Sequence, residues 1–182
     1  IFASDKTTIE VTNSTIKNIN TDIAKYNEDS NSYVIERKYQ NEEFYIGRNK
    51  LDNANLILNN VTFDNIYGGF KLSYQSKLII SNSTISNSFF KNGVFNINED
   101  SEAPIGNNEI TSSIFYHNSG DNGVIVNFNG TGYFSGSYKF KSCTFENNQA
   151  KDFGGIVYSI NEHAHDIVQF RNCDFINNSA KY

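Results

Sequence analysis

The sequence predicts an all-β fold built as a parallel solenoid. Three observations predict it: one phrase recurs at a fixed period, short alternating apolar runs are parted by Asn, Gly and Ser, and no segment sustains the i, i+3, i+4 pattern of an amphipathic helix. The recurring phrase is a small polar residue, Thr or a relative, an apolar anchor and then Asn. Its anchors are Ile16, Phe63, Ile85, Phe115, Phe145 and Phe175, spaced 47, 22, 30, 30 and 30 residues apart. The spacing of 47 reads as one coil plus an insertion.

Each coil reads in the same order. An alternating run comes first, as in Leu56-Ile57-Leu58, Leu78-Ile79-Ile80, Phe140-Lys141-Ser142 and Val168-Gln169-Phe170. The anchor phrase follows. A Gly-led phrase closes the coil, as in Gly68-Gly69-Phe70, Asn92-Gly93-Val94, Asn122-Gly123-Val124 and Gly154-Gly155-Ile156. Turn formers between runs of four to six residues set the strand ends. Successive coils then stack at ~4.8 Å, giving about six coils and a rod roughly 30 Å long. Because side chains alternate along a strand, the anchor and the residue two before it point inward. That puts Phe63, Ile85, Phe115, Phe145 and Phe175 in one stack and Cys143 and Cys173 in one inward column. The two cysteines read as a thiol pair filling the core or as a disulfide. The coil spacing lies within the allowed Cα range, while parallel stacking aims both Cβ atoms alike. The Asn after each anchor fits a turn, where it tolerates left-handed backbone and bonds the next coil.

Composition bounds the rest. The 182 residues suit one domain, spanning 1–182, with 15 Lys and Arg against 20 Asp and Glu and a net charge of −5. There is no basic run for a nucleic acid and no ~20-residue apolar stretch to span a bilayer. The 15 Phe and 11 Tyr argue against disorder. Asn is in large excess, with 29 residues, beside 19 Ser. The chain opens at Ile1 and stops inside a repeat, which points to one module of a longer repetitive protein.

The stretch Phe145-Glu146-Asn147-Asn148-Gln149-Ala150-Lys151-Asp152-Phe153-Gly154-Gly155-Ile156, with a further start at 175–180, resembles the repeat of the polymorphic outer-membrane protein (Pmp-like) family. The resemblance covers about 110–182; the first coil lacks Gly-Gly. It implies a right-handed parallel β-helix and extracellular adhesion or scaffolding. The Asn-rich repeats and the Asn, Ile, Lys and Ser bias are also similar to the scaffoldins of anaerobic gut fungi. In those proteins, cohesin-like modules dock dockerin-bearing enzymes into a cellulosome. This resemblance implies a secreted or cell-surface protein, working as a monomeric, non-catalytic module without a cofactor. Its partner would be a dockerin-like module or, in the adhesin reading, a cell-surface receptor. A purely structural spacer is a further reading.

A polysaccharide-cleaving β-helix is the rival from another class. It needs two carboxylates ~5–9.5 Å apart. The column before the anchor reads Thr15, Thr62, Thr84, Ile114, Thr144, Asp174, and the column after it reads Lys17, Asp64, Ser86, Tyr116, Glu146, Ile176. No two adjacent coils carry acids in one column. Asp174 and Glu146 approach only on a diagonal, and read as solvated carboxylates. Asn20-Thr21-Asp22 matches one fragment of a polygalacturonase pattern whose other parts are absent. His163-Ala164-His165-Asp166 and Glu99-Asp100-Ser101-Glu102 read as solvated loops rather than metal sites.

Insertions after the Gly-led strand, at about 24–50, 96–109, 127–138 and 159–167, are expected on one edge, with almost none at 73–77. Two are aromatic. One carries Tyr26, Tyr33, Tyr39, Phe44 and Tyr45, and the other Tyr133, Phe134 and Tyr138 amid Gly and Ser. Tyr among small flexible residues favours binding surfaces, so Tyr133, Phe134, Tyr138, Tyr33 and Tyr45 are the candidate partner contacts. Five glycosylation sequons begin at Asn13, Asn60, Asn82, Asn129 and Asn177. Asn13, Asn60 and Asn82 share a column too tight for a glycan on each, and Asn129, on a loop, is expected to be the most accessible. Asn129, Asn60 and Asn82 are the candidate glycan sites.

Overall fold

The computed structural model describes residues 7–19, 22–27, 32–37, 44–46, 54–72, 76–97, 106–129, 136–160 and 167–182. These residues form an all-β arrangement dominated by parallel sheets. In chain order the strands are β1 (Thr8–Ile19), β2 (Asp22–Asn27), β3 (Ser32–Arg37), β4 (Phe44–Ile46), β5 (Asn55–Ile66), β6 (Phe70–Leu72), β7 (Lys77–Ser81), β8 (Thr84–Ser86), β9 (Phe95–Ile97) and β10 (Asn107–Thr111). There follow β11 (Ile114–Tyr116), β12 (Ser119–Asn122), β13 (Val126–Phe128), β14 (Ser137–Lys141), β15 (Thr144–Glu146), β16 (Gln149–Phe153), β17 (Val157–Ser159), β18 (Val168–Arg171) and β19 (Asp174–Ile176).

The register follows the sequence period. Thr15 pairs with Thr62, Thr62 with Thr84, Thr84 with Ile114, Ile114 with Thr144 and Thr144 with Asp174. The spacings of 47, 22 and 30 are therefore each one step across a parallel sheet. The ten-stranded sheet has two arms that meet in β5. Its first half, Asn55–Asn59, pairs with β7, and β10, β14 and β18 follow; its second half, Thr62–Asp64, pairs with β8, and β11, β15 and β19 follow. A five-stranded sheet runs β17-β13-β9-β6-β4, and β12 pairs with β16. The first repeat fills its place in that sheet with Phe44–Ile46, without Gly-Gly. It also holds the one antiparallel pair among the described residues, β2 with β3, where Tyr26 faces Tyr33.

Two corners per repeat are made by left-handed residues. The first set is Asn13, Asn60, Asn82, Ser112, Ser142 and Asn172, three before each anchor. The second is Asn18, Asn65, Asn87, His117, Asn147 and Asn177, two after it. Left-handed backbone is disfavoured for most side chains and least so for Asn, which accounts for much of the Asn excess. Each corner also resets the alternation, so that Leu56, Leu58, Val61, Phe63 and Ile66 are all buried on one continuous strand. The sequence reads two short strands here; the structure joins them as β5, and likewise as β1.

The core is a column of rings. Phe115 stacks on Phe145 at 5.1 Å, Phe145 on Phe175 at 5.0 Å and Phe140 on Phe170 at 4.9 Å. These distances match the ~4.8 Å strand spacing, so stacking and the hydrogen-bond ladder reinforce each other. Beside the rings runs a buried amide ladder. Asn118 N–H donates to Asn148 Oδ1 at 3.1 Å and Asn148 N–H to Asn178 Oδ1 at 3.0 Å, while Ser88 N–H donates to Asn118 Oδ1 at 3.2 Å. In the column two before the anchor, Val61 N–H donates to Ser83 Oγ and Ser83 N–H to Ser113 Oγ. Backbone groups at the corners are thus satisfied one repeat away.

Gly123 shows why the closing phrase needs glycine. It sits at φ +53, and a Cβ there would lie 2.2 Å from Val126 O and 2.6 Å from Tyr158 N. The backbone of the next repeat passes where a side chain would be.

Candidate functional site

The five-stranded sheet fixes where the variable segments attach. Each strand of that sheet hands over to a strand of the first arm: β4 to β5, β6 to β7, β9 to β10, β13 to β14 and β17 to β18. Both sets are in parallel register, so all five exits and returns line one edge. The connecting segments, 47–54, 73–76, 98–106, 129–136 and 160–167, differ in length and sequence while the strands repeat. Connections displayed by a rigid scaffold are where binding residues concentrate.

A ring cluster lies at the Gly154-Gly155 corner between β16 and β17. Phe153 and Tyr158 lie 5.9 Å apart, Phe153 and Tyr182 5.5 Å apart, and Lys181 Nζ sits 4.7 Å from the Tyr182 ring centre. Phe153 is 46% exposed, Tyr182 70% and the neighbouring Ile160 58%. The cluster is held by the ladder: Phe153 N–H donates to Asn122 Oδ1 at 3.1 Å and Tyr182 N–H to Asp152 O at 2.9 Å. Tyr158 is positioned by pairing with Asn127 and by the absence of a side chain on Gly123. The sequence reading missed this cluster. Its members are 24 to 29 residues apart or hidden within the repeat phrase, and only the stacking of repeats brings them together.

The residues singled out in the sequence fare differently. Tyr133 and Phe134 lie outside the described residues, as do Tyr39, His163, His165 and the acidic loop 99–102. Tyr33 stands in β3 opposite Tyr26, and Tyr45 in β4 opposite Lys71. Tyr138 is corrected: it is wholly buried, with its ring 5.6 Å from Phe95. It falls on the inward parity of β14, so it belongs to the core and not to a contact surface.

The expected order of accessibility at the glycan candidates is also reversed. Asn60 and Asn82 are exposed, whereas Asn129 is half-buried and its N–H donates to Ile97 O at 3.1 Å. Asn60 Nδ2 is itself engaged, donating to Asn13 Oδ1 at 2.8 Å, and Asn82 Nδ2 donates to Asn59 Oδ1 at 3.2 Å.

The acids stay apart along the columns. Asp64 accepts from Ser86 Oγ at 3.1 Å and Asn87 Nδ2 at 2.8 Å; Glu146 pairs in register with Tyr116 and Ile176, and Asp174 with Thr144. Among the described residues, no three His, Cys, Asp or Glu side chains converge as metal ligands. Cys143 and Cys173 share the inward column and are both free thiols. Burial pushes the Cys143 thiol up to about 11. No helix of the described residues is long and apolar enough to cross a membrane. No family model, curated protein or solved structure matches the chain.

Proposed function

We propose that the chain is a right-handed parallel β-helix of about six coils. In this reading it serves as a non-catalytic protein–protein binding module of a secreted or cell-surface scaffold. It works in the manner of a cohesin, as a monomeric module without a cofactor, recruiting dockerin-bearing enzymes of a cellulosome. The observation that carries the reading is the cluster of exposed Phe153 and Tyr182 with half-buried Tyr158 beside the Gly154-Gly155 corner. Aromatic residues are enriched at protein interfaces, and Tyr is enriched among their hot spots. Along each outward column acids alternate with Thr, Tyr and Ile, and no two fall in one column in adjacent repeats.

Capture from the source organism's secretome tests it. Several different enzymes sharing one small module should be retained by the native chain. The paired variants Phe153→Ala/Tyr182→Ala or Tyr133→Ala/Phe134→Ala should release them. Retention of no protein, or binding only to host-cell surfaces, would favour an adhesin. Turnover of a polysaccharide that is lost with Glu146→Gln or Asp174→Asn would favour the enzyme.

A further inference from the structure

The chain has two cysteines, Cys143 and Cys173, and the binding reading uses neither. They occupy the same place in adjacent repeats. The residues that follow them, Thr144 and Asp174, pair in register, and Asp174 N–H donates to Cys143 O at 2.9 Å. Just before them, Ser142 N–H donates to Arg171 O at 2.9 Å. The two corners are thus pinned one sheet step apart, ~4.8 Å between Cα atoms, inside the 4.4–6.8 Å range of a disulfide.

The column itself argues that sulfur is not there for packing. Serine fills the same place in three other repeats, and its hydroxyl donates to the carbonyl two residues back at 2.7 Å from Ser14, Ser83 and Ser113. Cys143 lies 3.5 Å from Lys141 O and Ile110 O, and Cys173 3.4 Å from Arg171 O and 3.6 Å from Phe140 O, ordinary lengths for the weaker S–H···O bond. A hydroxyl makes the better corner, so what the two cysteines add is the capacity to bond to each other. They stand in adjacent repeats, at the corners between β14 and β15 and between β18 and β19.

We propose that Cys143 and Cys173 form a reversible disulfide that staples the last repeat, residues 167–182, to the one before it. Both side chains leave the sheet in the same direction, so their Cβ atoms start near the ~4.8 Å step, beyond the ~3.5–4.5 Å a disulfide prefers. Closing the bond draws the two corners together by a few tenths of an ångström. A bond closed under this strain is more reducible than an ordinary structural disulfide.

With oxidised glutathione as the oxidant, the half-buried Cys173 attacks first. Its thiolate displaces one glutathione thiolate and forms a mixed disulfide. Cys143, the more buried thiol, then attacks the Cys173 sulfur and releases the second glutathione. Two protein thiols are oxidised, one glutathione disulfide is reduced to two thiols, and both protons pass to the departing thiolates.

The test equilibrates the reduced chain with oxidised and reduced glutathione, quenches with acid, and maps thiols and linked peptides by mass spectrometry. The expected product is monomeric, has no free thiol and carries a Cys143–Cys173 link. Amide exchange over 167–182 should slow at least tenfold on oxidation and recover on reduction. Cys143→Ser should stop at the Cys173–glutathione adduct, which establishes that Cys173 is reachable in the folded chain. Two free thiols in the native chain, arrest at the mixed disulfide, or linkage between chains would each overturn the proposal.

Discussion

Replacing Asn148 with Leu cuts the buried amide ladder at its centre. Asn148 is wholly buried. Its Oδ1 accepts from Asn118 N at 3.1 Å and Asn118 Nδ2 at 3.0 Å; its Nδ2 donates to Phe115 O at 3.0 Å and Asn178 Oδ1 at 2.9 Å. Leucine has nearly the same volume and removes all four bonds. The Asn118 N–H and the Phe115 carbonyl lose these partners inside the core, and one hydrogen of the Asn118 amide is stranded. At about 1–3 kcal/mol for each buried group left unpaired, less what the leucine returns by burial, the expected loss is about 3–5 kcal/mol. Asn178→Leu is the matched control. It ends the same ladder at a half-buried position, leaving Asn148 N–H, one hydrogen of the Asn148 amide and the Phe145 carbonyl without these partners, and water entering through the half-buried site lowers the cost to about 2 kcal/mol. Urea unfolding followed by far-UV circular dichroism reads both, with the midpoint shifting and the slope unchanged. A loss below 1 kcal/mol for Asn148→Leu would refute the claim that the ladder is a stabilising element.

Three further outcomes follow from the same geometry. Gly123→Ala should lower stability by at least ~2–3 kcal/mol or prevent folding, because the new Cβ meets backbone of its own repeat and of the next; a near-neutral melt would show that the approach is looser. Phe140→Ala should cost about 3–5 kcal/mol, since its ring contacts Phe95, Phe115, Phe145 and Phe170, and the midpoint of chemical unfolding reports it. Under reducing conditions Cys143 should make stability pH-dependent. Its folded value is raised from 9.0 to about 11, so its contribution is intact below pH 9 and is lost as pH climbs toward 11. Thermal melts of the native chain and Cys143→Ser should diverge in that window, and parallel curves would contradict the assignment.

Much of the sheet architecture is legible in the sequence because each repeat repeats its chemistry. The anchors at 63, 85, 115, 145 and 175 fall in register as their spacing predicts, and the outward columns read from sequence match the pairing of β8, β11, β15 and β19 residue by residue. The left-handed Asn corners are legible too, because few other residues tolerate that backbone. What escapes is set by parity and by stacking. Tyr138 sits in a Gly- and Ser-rich stretch that suggests a loop, yet it is the second residue of β14 and faces inward. Asn129 reads as a loop residue, but the backbone bond to Ile97 holds it beside the sheet. The cluster of Phe153, Tyr158 and Tyr182 is composed across repeats, so no local motif announces it.

The account rests on the 30-residue repeat being one equivalent step of the sheets. Deleting residues 116–145 tests that most directly. The deletion joins Phe115 to Glu146, which keeps every inward column in phase and removes one step. The shortened chain should retain the strand signature by circular dichroism and a single cooperative unfolding transition. A deletion of residues 116–130, half a period, should abolish both. If the 30-residue deletion unfolds the chain as completely as the half-period one, the repeats are not interchangeable steps and the account fails.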